Sequence, residues 1–212
     1  MLKKVFTMLL AVLTAAAVLT GCSSGNGGSD AGSGGGDVAG SGSPTLDAIL
    51  EAGTIRAGCS LNGAPVGFTD DSGNPMGYDV DWANRLGEVL GVEVEIINVD
   101  AETRIPALTS GRVDLLFANI TGNLERAKSI DFSIPYLRCG IKMITAADGN
   151  AKLEAQPGLY TSDPICAAAR KGDMEFVRYL DMFVSWQISS GWQSDTYQKW
   201  WGVEPSGLNG LW

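Results

Sequence analysis

GYDVDWANRLGEVLGVEVEIINV, residues 77–99, followed by RIPALTSGRVDLLFANI, residues 104–120, decides the fold class. Val80, Ala83, Leu86, Val89 and Leu90 recur at helical spacing, with Asp79 or Asp81 available as a cap and Gly91 as the stop. VEVEIINV (92–99) then reads as a strand and ETRIPALTSG (102–111) as a helix ending in Gly. VDLLFANI (113–120) has the unbroken apolar core of a strand buried on both faces. Strand and helix alternate, so the class is α/β with a mostly parallel sheet. Outward from this block, TLDAILE (45–51) is a short helix closed by Gly53, and TIRAGC (54–59) is a strand. Residues 67–80 hold a hairpin turn at Asp71–Asn74. Leu137–Thr145 and Ile165–Arg170 read as extended, and Asp173–Gly202 as two helices broken near Ser190-Gly191. Trp186, Trp192, Trp200 and Trp201 are expected to pack those helices on the sheet.

The beginning of the chain is of another kind. Lys3 and Lys4 precede an uncharged apolar run from Val5 to Val18, the order of a secretory leader and too short for a membrane span. It ends in Leu19-Thr20-Gly21-Cys22, which resembles the lipobox of bacterial lipoproteins, where the chain is cut before a diacylated Cys. The expected organisation is therefore a signal peptide over 1–21 and a lipidated Gly/Ser-rich tether over 22–43. Nothing in the tether can bury apolar surface, and as a flexible coil it spans about 25 Å. Two or more acyl chains anchor stably, which places the protein on the extracytoplasmic side of the cell membrane.

The chain carries 15 Lys and Arg against 24 Asp and Glu. Cleavage removes Lys3 and Lys4, leaving 13 basic residues and a charge near −11. No basic stripe exists, which argues against nucleic acid as a partner. There is no His, which excludes a Ser-His-Asp hydrolase, and Cys59, Cys139 and Cys166 show no CxxC spacing. Neither a metal nor a cofactor is expected.

The ordered run TIRAG, GYDVDWANRLGEVLGVEVE, RIPALTSGRVDLLFANIT, ERAKSIDFSIPY and the closing RKGDMEFVRYLDMFVSWQISSGWQSDTYQKWWG resembles the extracellular solute-binding proteins of polar amino-acid ABC transporters. The likeness covers about 45–146 and 164–202. It implies two α/β lobes joined by two crossing strands, with an amino acid clamped between them and an ABC permease as partner. Here about twenty residues separate the crossing strands, too few for a sheet covered by helices. The expectation is thus a single lobe of a type II periplasmic-binding-protein-like fold, with 44–146 as its first part, 147–163 as a linker replacing lobe two, and 164–212 as return strand and closing helices. The family's paired crossing strands also imply that strand 139–145 lies antiparallel to 165–170, which would bring Cys139 near Cys166, within reach of a disulfide.

In open α/β sheets, ligands sit beyond the carboxyl ends of the strands. Strand 113–120 delivers Asn119 and Thr121 there, and Asn123 opens a short helix whose free N–H groups suit a carboxylate. Arg126 adds a planar fork for the same group, and the resemblance places the family's ligand Arg at this position. The resemblance also sets Thr121 and Asn123 beside the ligand, though both residue types serve equally as plain caps. A surface ion pair with Glu125 or Asp131 is the competing role for Arg126. Ser60, Asn62, Gly63 and Ala101 would give a small side-chain pocket, with Phe68 on its wall. Arg104 is expected to pair with Glu102 or Asp100. The family's acid for the ligand's ammonium lies in lobe two and has no counterpart, so binding is expected to be weak.

Three functions compete on this reading. The first is a reduced, lipid-anchored amino-acid binder; the second is a surface-displayed interaction module without solute transport. The third is an enzyme like the dehydratases known on this fold, disfavoured because the chain has no His. Lipidation is directly testable: mass spectrometry of the membrane-bound protein should find an acylated Cys22 at its N-terminus. An intact Met1 start, or a Cys22→Ser protein that stays equally membrane-bound, would contradict it.

Overall fold

The computed structural model describes residues 40–141, 144–146, 153–155 and 161–205. The leader, Cys22, most of the tether and much of the expected linker lie outside the described residues. Helix α1 (Pro44–Ala52) starts where sequence chemistry places it: the Ser43 hydroxyl oxygen accepts the Leu46 N–H, Pro44 fills the first turn, and Gly53 leaves at φ 64°. The carboxylate of Asp173 accepts the Ser43 hydroxyl and the Thr45 N–H while also capping Phe176 N. One side chain therefore starts both α1 and α4 (Met174–Ser189), tying the first part of the lobe to the last.

The central sheet contains β1 (Thr54–Cys59), β4 (Glu93–Asn98), β5 (Leu115–Leu116), β6 (Ile130–Cys139) and β9 (Asp163–Arg170) in the order β4-β1-β5-β9-β6. The first three pair in parallel and β9 is antiparallel to both its neighbours, so four of five strands run one way. Two small hairpins lie outside it, β2 (Phe68–Thr69) with β3 (Pro75–Met76) and β7 (Ile144–Ala146) with β8 (Leu153–Ala155). The remaining helices are α2 (Tyr78–Leu90), α3 (Arg104–Thr109) and α5 (Trp192–Trp201).

Alternation along the buried run sorts the core. Leu115 and Phe117 face α1, α2 and α4, packing with Ile49, Trp82, Leu86, Phe176 and Leu180. Leu116 and Ala118 face α3, packing with Ala107, Leu108 and Ile120. Helices thus cover both faces, as a buried parallel core requires. Trp82 meets Trp192 edge-on at 5.1 Å between ring centres, and Tyr78 meets Trp201 at 5.0 Å, so α5 docks through its aromatics as expected. Trp186, 67% exposed, is the exception.

Several expectations change. The strand expected over 113–120 is buried over most of that length but pairs regularly only at Leu115–Leu116, because Asn119 turns into the left-handed region at φ 47°. The α3 helix begins at Arg104 rather than 102, because Asp100 Oδ1 captures the N–H groups of Glu102 and Thr103 in a preceding turn. Neither Asp79 nor Asp81 caps α2: Gly77, at φ 128°, precedes the helix and both acids fall in its first turn. The strand expected over 137–145 begins at Ile130 and ends at Cys139, on the sheet edge where the irregularities around Pro135 are tolerated. The closeness of Cys139 and Cys166 that the paired crossing strands implied is not found. Cys139 stands opposite Asp163 and Cys166 opposite Pro135, at different heights of the ladder, and both thiols are free.

Gly87 offers a test of the packing. A Cβ there would lie 2.2 Å from Val94 Cγ2, so α2 approaches β4 through the missing side chain. Ala is favoured over Gly inside a helix by about 1 kcal/mol. Gly87→Ala should nonetheless lower the melting temperature, with Val94→Ala in the same chain recovering part of the loss. A raised melting temperature in the single variant would show that the approach is looser.

Candidate site at the carboxyl edge of the sheet

The parallel strands β1, β4 and β5 end at one edge, and β6 ends there as well. Asp79 reaches this edge from inside. It is fully buried, yet its Oδ1 accepts the Tyr136 hydroxyl at 2.7 Å and its Oδ2 accepts the Asn119 N–H at 2.7 Å. Burial lifts its pKa to about 7, against the pull of Tyr136, Asn119 and Arg104. Burial and the neighbouring Asp79 charge push the Tyr136 phenol well up, so that hydroxyl remains a donor. Tyr78 extends the network, donating to the Tyr136 carbonyl and accepting from Gln193 of α5.

Arg104 does not pair with Glu102 or Asp100. Its Nη1 donates to the carbonyls of Ala118 (2.8 Å) and Asn119 (3.1 Å), while Asp100 is spent on the turn before α3. The reason is position: starting α3 at residue 104 points the side chain across the end of β5 rather than back along its own turn. Its Nε is buried without a partner. Its pKa is lowered first by burial and then by the like charge of Arg126, which places two guanidinium groups in each other's field.

Arg126 donates from Nη1 to the Thr121 carbonyl at 2.9 Å. Glu125 pairs with Lys128 and Asp131 with Lys171, so the two acids that could have neutralised Arg126 are engaged elsewhere. Thr121 is pinned against β9 by a bridge to Ile165, which fixes the carbonyl that Arg126 uses. The side-chain oxygen of Asn123 accepts the Arg126 N–H at 2.9 Å, starting a single turn of 3-10 helix, Arg126–Lys128. Its amide nitrogen is the part left to meet a ligand.

The structure brings Asn119, Thr121, Asn123 and Arg126 together on the segment after β5. Asn62 lies in the loop after β1, on the neighbouring strand at the same edge, and donates weakly to Ser60 at 3.4 Å. Phe68 lies in the β2–β3 hairpin, edge-on to Trp200 of α5 at 5.7 Å. Sequence reasoning missed Asp79 and the true setting of Arg104. The signal for Asp79 was an acid flanked by the inward Tyr78 and Val80 in a first turn; for Arg104 there was none short of the helix start. Among the described residues, no group of three or more His, Cys, Asp or Glu could hold a metal ion.

In a mostly parallel α/β lobe, ligands sit beyond the carboxyl ends of the strands, and here two guanidinium groups stand at that edge. Residues 55–203 match the bacterial extracellular solute-binding proteins, family 3, and the chain belongs to that family. It is 34% identical over 119 residues to a cyclohexadienyl dehydratase of Pseudomonas aeruginosa, covering 54% of this chain and 44% of that protein. It is 29% identical to an ABC transporter glutamine-binding protein of Bacillus subtilis, over 90% of this chain and 73% of that one. It is 30% identical to a glutamate/aspartate import solute-binding protein of Salmonella typhimurium, over 68% of this chain and 48% of that one. The chain therefore spans about half the length of two of these three relatives. Among solved structures, an ancestral cationic amino acid solute-binding protein superposes with TM-score 0.66 at 23% identity, covering 74% of this chain and 99% of that one. An arginine-bound form of domain 1 from TmArgBP superposes with TM-score 0.55 at 26% identity, covering 68% of this chain and 98% of that one.

Proposed function

We propose that this chain is a lipid-anchored solute-binding component of an amino-acid ABC transporter, tethered through Cys22 beside its permease, and that its solute is an acidic amino acid. The observation that carries the reading is the pair Arg104 and Arg126 at one sheet edge, neither in an ion pair among the described residues. Arg126, with the amide of Asn123, receives the α-carboxylate; Arg104 draws the side-chain carboxylate. Asn119 and Asn62 offer neutral polar contacts around them. The 30% identity to a glutamate/aspartate import protein supports the acidic choice.

With 147–163 read as a linker in place of a second lobe, the ligand stays wet on one side and its ammonium meets no acid from across the cleft. Typical pockets bury about 70–90% of a ligand. Binding on the order of millimolar follows, about −4 kcal/mol. The arginine-bound domain 1 of TmArgBP supports the idea that one lobe of this fold can hold an amino acid. A binding role is preferred over a dehydratase because the carboxyl group held nearest neutrality, Asp79, is fully buried and out of reach of a substrate.

Titration calorimetry with L-glutamate tests this. The protein should bind it on the order of millimolar and more tightly than L-glutamine, which lacks the second charge. Arg126→Ala should weaken binding tenfold to a hundredfold, through loss of a charged pair that contributes about 1.5–3 kcal/mol. Equal affinity for the two amino acids would remove Arg104 from the site, and unchanged binding in Arg126→Ala would place the ligand elsewhere.

A further inference from the structure

We propose that Asp79 is a positioning residue of the binding edge: its buried carboxylate holds the Asn119 peptide in its left-handed turn, and through the Asn119 carbonyl it sets where Arg104 stands beside Arg126. Three observations carry this. Asn119 has φ 47° without being Gly, a conformation uncommon outside Gly although Asn adopts it more readily than most residues. Its N–H is held by Asp79, its carbonyl by Arg104, and its side-chain oxygen receives the Cys139 thiol at 3.8 Å. Asp79 is itself ion-paired with nothing among the described residues, although burying a charge without a partner is costly. A role in packing alone would be served better by a neutral side chain.

The groups that face Asp79 are few. Tyr136 comes from β6, Asn119 and Arg104 from the end of β5 and the start of α3, and Tyr78 from its own helix. Cys59 of β1 lies within 4.0 Å of the Asp79 carbonyl, and Cys139 is near enough to feel its charge. Among these, Arg104 alone is a cation, so the charge on Asp79 acts on Arg104 from behind. While Asp79 is ionised it draws on the field of that guanidinium; when it takes a proton the same field is free for a ligand. An anion on Arg104 must in return favour the proton on Asp79, because such coupling is reciprocal. With a pKa near 7, the change falls in a window where the chain has no His to confuse it. A protonated Asp79 keeps a carbonyl oxygen for the Asn119 N–H, so the turn survives and affinity for an anionic ligand should rise as pH falls through neutrality.

The inference borrows only the ligand from the functional reading, and its first test needs no ligand. In NMR spectra of the mature chain between about pH 6 and pH 8, the Asn119 amide and the Arg104 Nε–H should shift with one shared midpoint. Asp79→Asn should abolish both shifts. Tyr136→Phe, which removes a donor to the carboxylate, should move the shared midpoint upward, and this variant decides the matter if Asp79→Asn does not fold. Separate midpoints, no titration, or a titration that survives Asp79→Asn would overturn the proposal. L-Glutamate titrated over the same range should bind several-fold more tightly at the acid end, with no such trend in Asp79→Asn. A chain whose two signals titrate together but which binds no glutamate would keep Asp79 in this role and defeat the choice of ligand.

Discussion

A carboxylate with no cation in contact sits where α2, the end of β5 and β6 converge, and the geometry of the binding edge hangs on it. Burying such a charge costs several kcal/mol after relaxation. Asp79 offsets that cost with two 2.7 Å hydrogen bonds and a place in the first turn of α2, where the helix dipole favours a negative group. What the fold gains is a fixed angle at Asn119, where the strand stops and the polar segment begins. Asp79 fastens the Asn119 N–H, while Arg104 fastens the carbonyl of the same residue and that of Ala118.

The edge shows how an acidic protein can carry a local cationic patch. Net charge is −9 over the whole chain, yet Glu125, Asp131 and Asp100 are each engaged by a lysine or by backbone N–H groups. Arg104 and Arg126 are left facing one another's field. The local sign of a site is set by which charges are already paired, and the total says little about it. Backbone carbonyls of Ala118, Asn119 and Thr121 hold the two guanidinium groups without neutralising them.

Much of the fold was legible because its punctuation is local. Gly53 and Gly91 end helices at φ 64° and 69°, and the unbroken apolar run at residues 115–118 is buried on both faces between two helical layers. The early start of β6 was hidden because Pro135 and its register shifts blur the strand pattern on an edge where they do no harm. The thiols of Cys139 and Cys166 seemed level because strand register cannot be read without the partner's irregularities. Within the candidate site, the strand end and helix start, together with the family resemblance, pointed to Arg126, Thr121 and Asn123. The partners of Asp79 and Arg104 come from residues 57, 40, 14 and 15 positions away along the chain, so no local pattern announces them.

A crystal structure of the protein with L-glutamate tests the central claim most directly, because it locates the ligand without assuming the site. The account predicts the α-carboxylate on Arg126 beside Asn123 and the side-chain carboxylate turned toward Arg104. Glutamate bound instead in the groove between α2 and α5, against Arg85, Trp192 and Lys199, would contradict it.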